Sequence, residues 1–186
     1  MRLASAADLP FLLVGIASAG LAYAGLYHLN AWLFDHSEFT RHINWIFLPA
    51  AVRMVAVLVF GWAGVAGLFI GSISVIPEIV QSDFLHAATL ATLSSVPALL
   101  AARAVQRLLD VPASLAGVTG KQLLCFGVAG GLANSVAHTL YFAWRAGSLE
   151  PLQGFTPMLV GDTVGTLLML YAGAILLRGV RVPPAA

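Results

Sequence analysis

A bundle of six transmembrane helices is the all-α architecture this sequence predicts, and three observations predict it. Of the 186 residues, 60% are hydrophobic and only 9% are charged, against about 25% charged in an ordinary soluble domain. The mean hydropathy is +0.91. Six apolar stretches of roughly span length, joined by short polar connections, cover most of the chain, and about 20 mainly apolar residues suffice to cross a bilayer. So few charges cannot clothe a protein of this size in water, which leaves lipid as the solvent for most of its surface.

The stretches run over 10–33, 43–60, 62–81, 84–108, 120–144 and 156–178, forming one integral membrane domain over 1–186 with no evident internal repeat. Arg2 followed by apolar residues has the look of a signal peptide. The run from Pro10 to Phe34 nevertheless exceeds the roughly 7–15 residues of a cleavable apolar region, so it reads as an uncleaved first span. Gly61 and Trp62 alone separate the second and third stretches, which makes these a tight helical hairpin. Pro49 and Pro97 fall inside the second and fourth stretches, where proline kinks a helix that lipid still tolerates. Pro77 marks an outer helix end, and the clearest loop runs from Asp110 to Gly120.

Orientation follows from the basic residues of the short loops. With six spans and both termini cytoplasmic, the inner side carries Arg2, Arg103, Arg107, Lys121, Arg178 and Arg181, and the outer side only Arg41 and Arg145. Most acids then lie outside: Asp35, Glu38, Glu78, Asp83 and Glu150. Five spans would put the termini on opposite faces and spoil this bias. The expected location is a bacterial-type inner membrane. Trp32, Trp45, Trp62 and Trp144 fall at span ends, the usual aromatic belt.

Several function classes drop out. The net charge is +1 and no basic tract exists, so no nucleic acid is expected as a partner. Cys125 is the only cysteine, which excludes an intramolecular disulfide and a cysteine metal cluster. No H-x-x-x-H or E-x-x-H spacing marks a haem or metal site, and no cofactor is expected. Gly120-Lys121-Gln122 lacks the Ser/Thr and upstream glycine of a phosphate loop. Ser135 and His138 share a helix without a glycine-flanked nucleophile motif. Asp162 has no second intramembrane acid with which to form an aspartyl dyad. An enzyme is therefore not expected.

The candidate site begins with Arg53, about ten residues into the second stretch, roughly 15 Å along a helix. A charge at that depth costs at least about 2.5–3.5 kcal/mol, so it needs a protein-facing position and a partner. Asp162, about two turns into the last stretch, is the one acid inside a span, and an Arg53–Asp162 pair is expected. That pair reads either as an anchor for an anion or polar ligand, or as a structural ion pair that fixes helix packing. Asn134 and His138 are four apart and share one helix face. Asn44 and Trp45 open the second stretch at the same level. All five histidines, His28, His36, His42, His86 and His138, map to the outer half. Together these residues describe a polar cavity opening outward, or else scattered groups each satisfied locally. Gly161/Gly165, Gly67/Gly71 and Gly127/Gly131 repeat a small-xxx-small spacing that lets helices approach closely, within the chain or at a dimer face.

Two stretches resemble a known group. Asn44-Trp-Ile-Phe-Leu-Pro-Ala-Ala-Val-Arg53, followed by Leu58-Val-Phe-Gly-Trp-Ala-Gly-Val-Ala-Gly-Leu-Phe-Ile-Gly71, is similar to the early helical hairpin of the MASE1 group of membrane sensor domains. There a Trp…Leu-Pro-Ala helix leads into a Phe-Gly…Trp-Pro-Gly turn and a Phe-Leu-Gly helix. Gly161-Asp-Thr-Val-Gly-Thr-Leu-Leu168 resembles the group's Gly-Asp-Ala-Leu-Gly late helix. Small proteobacterial membrane proteins of unassigned function look similar too. About a quarter of the chain is covered, and the matching positions are Trp45, Pro49, Arg53, Gly161, Asp162 and Gly165. MASE1 domains have more helices and are usually fused to an output domain, whereas here the chain ends about eight residues after Arg178. The resemblance implies a lone input-like module whose output belongs to a partner. The leading expectation is a sensor-like module that binds a small molecule or a partner membrane or signalling protein. The alternatives are a small-molecule transporter or its substrate-binding subunit, and a structural subunit of a larger membrane complex.

Overall fold

A computed structural model describes residues 9–40, 43–115 and 117–178. Arg2, Arg41, His42 and Arg181, which entered the orientation and histidine arguments, lie outside the described residues. Helix α1 covers Leu9–Phe34, α2 Pro49–Phe60, α3 Trp62–Ser74, α4 Pro77–Ser82, α5 Phe84–Leu108, α6 Gly120–Ala146 and α7 Phe155–Arg178. A two-residue strand β2 (Ile43–Asn44) pairs antiparallel with β1 (Glu38–Thr40). The fold is all-α apart from this ribbon, which the sequence reading did not anticipate. Four helices are long and apolar enough to cross a membrane: α1, α5, α6, and α7 with the short turn of helix ahead of it. Their outward side chains are large and apolar, as at Leu21, Leu85 and Leu140, which is the surface lipid requires.

The second and third elements depart from the expected continuous spans. Residues 45–48 are irregular and α2 starts only at Pro49. Proline supplies a fixed φ and lacks an N–H, so it starts this helix instead of kinking it. The third stretch breaks at Val75–Ile76, and Pro77 starts the short α4. The 12 and 13 residues of α2 and α3 rise only about 18–20 Å each. Pro97 does not end α5, which continues to Leu108. The tight turn is present: Gly61 adopts φ 56 between α2 and α3, a conformation that favours glycine.

Close backbone approach explains the paired glycines. A Cβ at Gly71 would lie 2.7 Å from the Gly20 carbonyl, and one at Gly67 would collide with that of Ile16, so α1 packs directly on α3. A Cβ on Gly131 would meet Asp162 and Thr163 at 3.2 Å, and one on Gly127 would meet Thr166 at 3.1 Å, joining α6 to α7. At Gly161 and Gly165 an added Cβ would strike the carbonyls of Asn44 and Phe47. All three glycine pairs therefore serve packing within the chain. Helix α2 sits at the centre, touching α1, α3, α5, α6 and α7.

The irregular 45–48 segment lies against α7, with Leu48 buried and Trp45 exposed, and is stitched in place. Phe47 N–H donates to the Gly161 carbonyl at 3.0 Å, and Leu48 N–H donates to Asn30 Oδ1 at 2.8 Å. Asn30 is 3% exposed. Non-helical backbone at membrane depth is tolerated only where protein satisfies it, and Asn30 does so here for the entry of α2. Asn30→Ala leaves a buried N–H unpaired, so a loss of about 1–3 kcal/mol is expected. Thermal unfolding in detergent of Asn30→Ala beside the exposed control His28→Ala checks this.

Candidate functional site

The site is built where five helices meet around the first turns of α2. Arg53 lies one turn past Pro49, not ten residues into a helix, because the helix starts late. Its Nη2 donates to Asp162 Oδ1 at 2.6 Å, and the two side chains are 5% and 3% exposed. The expected pair is thus present. Asn134 Nδ2 donates to Asp162 Oδ2 at 2.8 Å, so both carboxylate oxygens have a donor. The Phe47 ring stands 5.1 Å from the Arg53 guanidinium carbon, a cation–π distance. This ring belongs to the irregular segment ahead of α2, so the same break that shortens α2 supplies a cap for the cation.

His138 sits one turn from Asn134 on α6, and its Nδ1 contacts the Asn134 carbonyl at 3.1 Å. A carbonyl only accepts, so Nδ1 carries a proton in this contact. Ser94 of α5 is 3.5 Å from Nε2, at the outer limit of a hydrogen bond. Tyr23 of α1 interacts with both Ser72 of α3 and Ser94. All of these polar side chains are buried.

They line a part-enclosed cavity of ≈ 190 Å³. Arg53, Asp162 and Asn134 form its floor, with Tyr27, Phe47 and Phe142 among its walls. Asn44, Ile79 of α4 and His86, the third residue of α5, line the end nearest the short ribbon. Below the floor a second void of ≈ 10 Å³ touches Arg53, Asn134, Met54, Ser94 and Thr166. Arg53 Nε and Asn134 Oδ1 are buried with no hydrogen-bond partner.

The mouth is braced by charges outside the spans. Asp83 Oδ1 accepts from His86 N–H at 2.9 Å, and Asp83 Oδ2 accepts from Arg145 at 2.8 Å. His86 N–H and the Arg145 guanidinium together hold the Asp83 carboxyl below its ordinary range. The Tyr141 hydroxyl lies 2.8 Å from His86 Nδ1, which ties α5 to α6 beside the opening.

Of the six residues singled out from the sequence, Arg53, Asp162, Asn134, His138 and Asn44 line one cavity. Trp45 does not. It is 42% exposed and its ring packs edge-on against Phe39 at 6.1 Å, because the chain turns after Asn44 and side chains of adjacent residues diverge. Among the described histidines only His86 and His138 reach the cavity, while His28 and His36 are exposed. The residues missed are Tyr23, Ser72, Ser94 and Phe47. A tyrosine and serines deep inside apolar stretches were the available signal, since intramembrane polar groups turn inward. Comparison with protein-family models, with curated proteins and with solved structures returned no match, so the functional reading rests on this geometry.

Proposed function

We propose that this chain is a non-enzymatic, multi-pass inner-membrane module that binds a small molecule in a polar cavity open to the outer side, as a sensor-like unit. The observation that carries the reading is the cavity of ≈ 190 Å³ floored by a buried ion pair and walled by polar groups from separate helices. Interiors otherwise pack to near-crystalline density. A space of this size, lined by a few convergent polar groups, is the form a ligand site takes.

We read the chain as crossing six times, the four long helices being joined by α2 and α3 as short helices extended by irregular backbone. The α2–α3 turn reaches the level of the first turn of α1, since Phe60 packs on Phe11 at 5.7 Å between ring centroids. It also lies beside Arg103, near the end of α5. The turn of the hairpin therefore reaches the same level as the first turn of α1 and the last turns of α5. In this reading the first turn of α1 and the last turn of α7 fall on the side of Arg103, Arg107 and Lys121, the cytoplasmic side by the positive-inside rule. The MASE1-like motifs contribute to the sensor-like reading because their matched positions, Arg53 and Asp162, form the cavity floor.

A second reading has its own observation. Helix α2 begins at the buried Leu48–Pro49 after an irregular segment held by Asn30, and broken helices beside a central site are a device of transporters. Uptake by reconstituted vesicles separates the two, because a sensor-like module gives none. A structural accessory subunit would fill the same space with side chains.

The binding claim is tested with small ring probes (benzene, phenol, anisole, benzoate, benzylamine) in thermal unfolding of the detergent-solubilised protein. A bound probe at 100 times its Kd adds about 2.7 kcal/mol, a rise of roughly 5–10 °C for a chain this long. At least one probe is expected to give a saturable rise that Ser94→Phe, which fills the cavity, abolishes. No rise with any probe contradicts the proposal.

A further inference from the structure

We infer that the cavity takes an uncharged molecule of single-ring size that carries a hydroxyl; this rests on the reading of the cavity as a ligand site and specifies its ligand. Size sets the first limit. An apolar cavity of about 150 Å³ holds one benzene, and this cavity is ≈ 190 Å³, which leaves room for a ring with one or two further heavy atoms.

Charge sets the second limit. Among the described residues lining the cavity, Arg53 and Asp162 are the oppositely charged pair, and each has the other at 2.6 Å. The carboxylate has a donor on each oxygen, and the guanidinium charge is matched by that carboxylate and faces the Phe47 ring, although its buried Nε has no hydrogen-bond partner. The floor is therefore neutral as a unit. A carboxylate or ammonium entering the cavity would lose its hydration and find no unmatched counter-charge, a cost that an uncharged molecule avoids.

The third limit is the hydrogen-bonding character of the wall. Tyr23, Ser72 and Ser94 bring hydroxyl groups from α1, α3 and α5 to the lining of one cavity, and His138 of α6 adjoins Ser94. Each hydroxyl has one proton to donate and two lone pairs. A cluster of hydroxyls therefore has more acceptor sites than donors, and a ligand hydroxyl meets this excess. A molecule that only accepts, such as an ether, can use the hydroxyl protons of this wall but none of its lone pairs. Tyr27, Phe47 and Phe142 present rings around this patch, which suits an aromatic body stacked or edge-on.

The measurement is a set of dissociation constants for the wild-type protein in detergent, from thermal shift or calorimetry. Phenol is expected to bind about tenfold more tightly than anisole or benzene, the worth of roughly one net hydrogen bond. Benzoate and benzylamine are expected to bind at least about a hundredfold more weakly than phenol. The double variant Ser72→Ala with Ser94→Ala should shrink the phenol-to-benzene ratio to under about threefold. Benzoate or benzylamine as the tightest probe would overturn the uncharged ligand and leave the cavity reading standing. Benzene or anisole equal to phenol would overturn the hydroxyl. No binding by any of the five would remove both this inference and the ligand site beneath it.

Discussion

Arg53→Ala and Asp162→Ala are each expected to lower stability by about 3–5 kcal/mol, because each leaves its partner charged and buried without compensation. For a chain of this length that is a fall in Tm of roughly 6–20 °C. The two partners are 4% and 2% exposed, so the little surface each turns to the cavity compensates the survivor only in part. Arg53→Ala also removes the cation that Phe47 covers. Asp162→Ala also strips the acceptor from Asn134 Nδ2, whose other amide atom is already without a partner. Replacing both members by apolar residues of similar volume, Arg53→Met with Asp162→Leu, should recover most of the loss, since an exchanged pair often costs little. Thermal unfolding of the four proteins checks this. Single variants within about 1 kcal/mol of wild type would mean that water or lipid headgroups reach the charges.

The second large effect is expected at Gly161. A Cβ there would strike the Asn44 carbonyl and lie 3.3 Å from the Trp45 carbonyl carbon, in main chain held on one side by Trp45 N–H to the Ser37 carbonyl and on the other by Phe47 N–H to the Gly161 carbonyl. Backbone cannot swing aside as a side-chain tip can. Overpacking of this kind costs typically about 1–3 kcal/mol, and here it also pushes α7 away one residue before Asp162. Gly173→Ala is the matched control on the same helix, because a Cβ there meets nothing within 4 Å. It should be neutral or gain up to about 1 kcal/mol from helix propensity. Equal Tm values for Gly161→Ala and Gly173→Ala would refute the close approach of α7 to the 45–48 segment.

Much of the architecture was legible because composition and span length are additive along the chain. The stretch 84–108 coincides with α5, and the limits of α1, α6 and α7 shift by no more than two residues. The Arg53–Asp162 pair was legible for a similar reason: two opposite charges inside apolar stretches have few other places to go. The late start of α2 was not legible. Residues 43–48 are as apolar as a helix, and what holds them irregular is tertiary, namely Asn30 from α1 and the Gly161 carbonyl from α7. Periodicity cannot report a bond made 18 residues away. The same limit hid Trp45, whose position at a span start looked equivalent to that of Asn44 until the chain turned between them. Ser72 and Ser94 were visible as letters. Their convergence with Tyr23 depended on how α1, α3 and α5 rotate about their axes, which the weak amphipathicity of lipid-facing helices leaves open.

The most direct test of the cavity and its orientation is cysteine labelling. Cys125 is exposed and is the only cysteine, so Cys125→Ser gives a blank background. Ser94→Cys in that background places a thiol beside the cavity floor, and Leu140→Cys, at a site 59% exposed on the lipid-facing surface of α6, is the control. With a small membrane-impermeant thiol reagent added outside sealed cells, Ser94→Cys should react at least about tenfold faster than Leu140→Cys, because a thiol must meet water to form thiolate. Phenol should slow that reaction. Labelling of Ser94→Cys no faster than the control, or only from the cytoplasmic side, would contradict an outward-open ligand cavity.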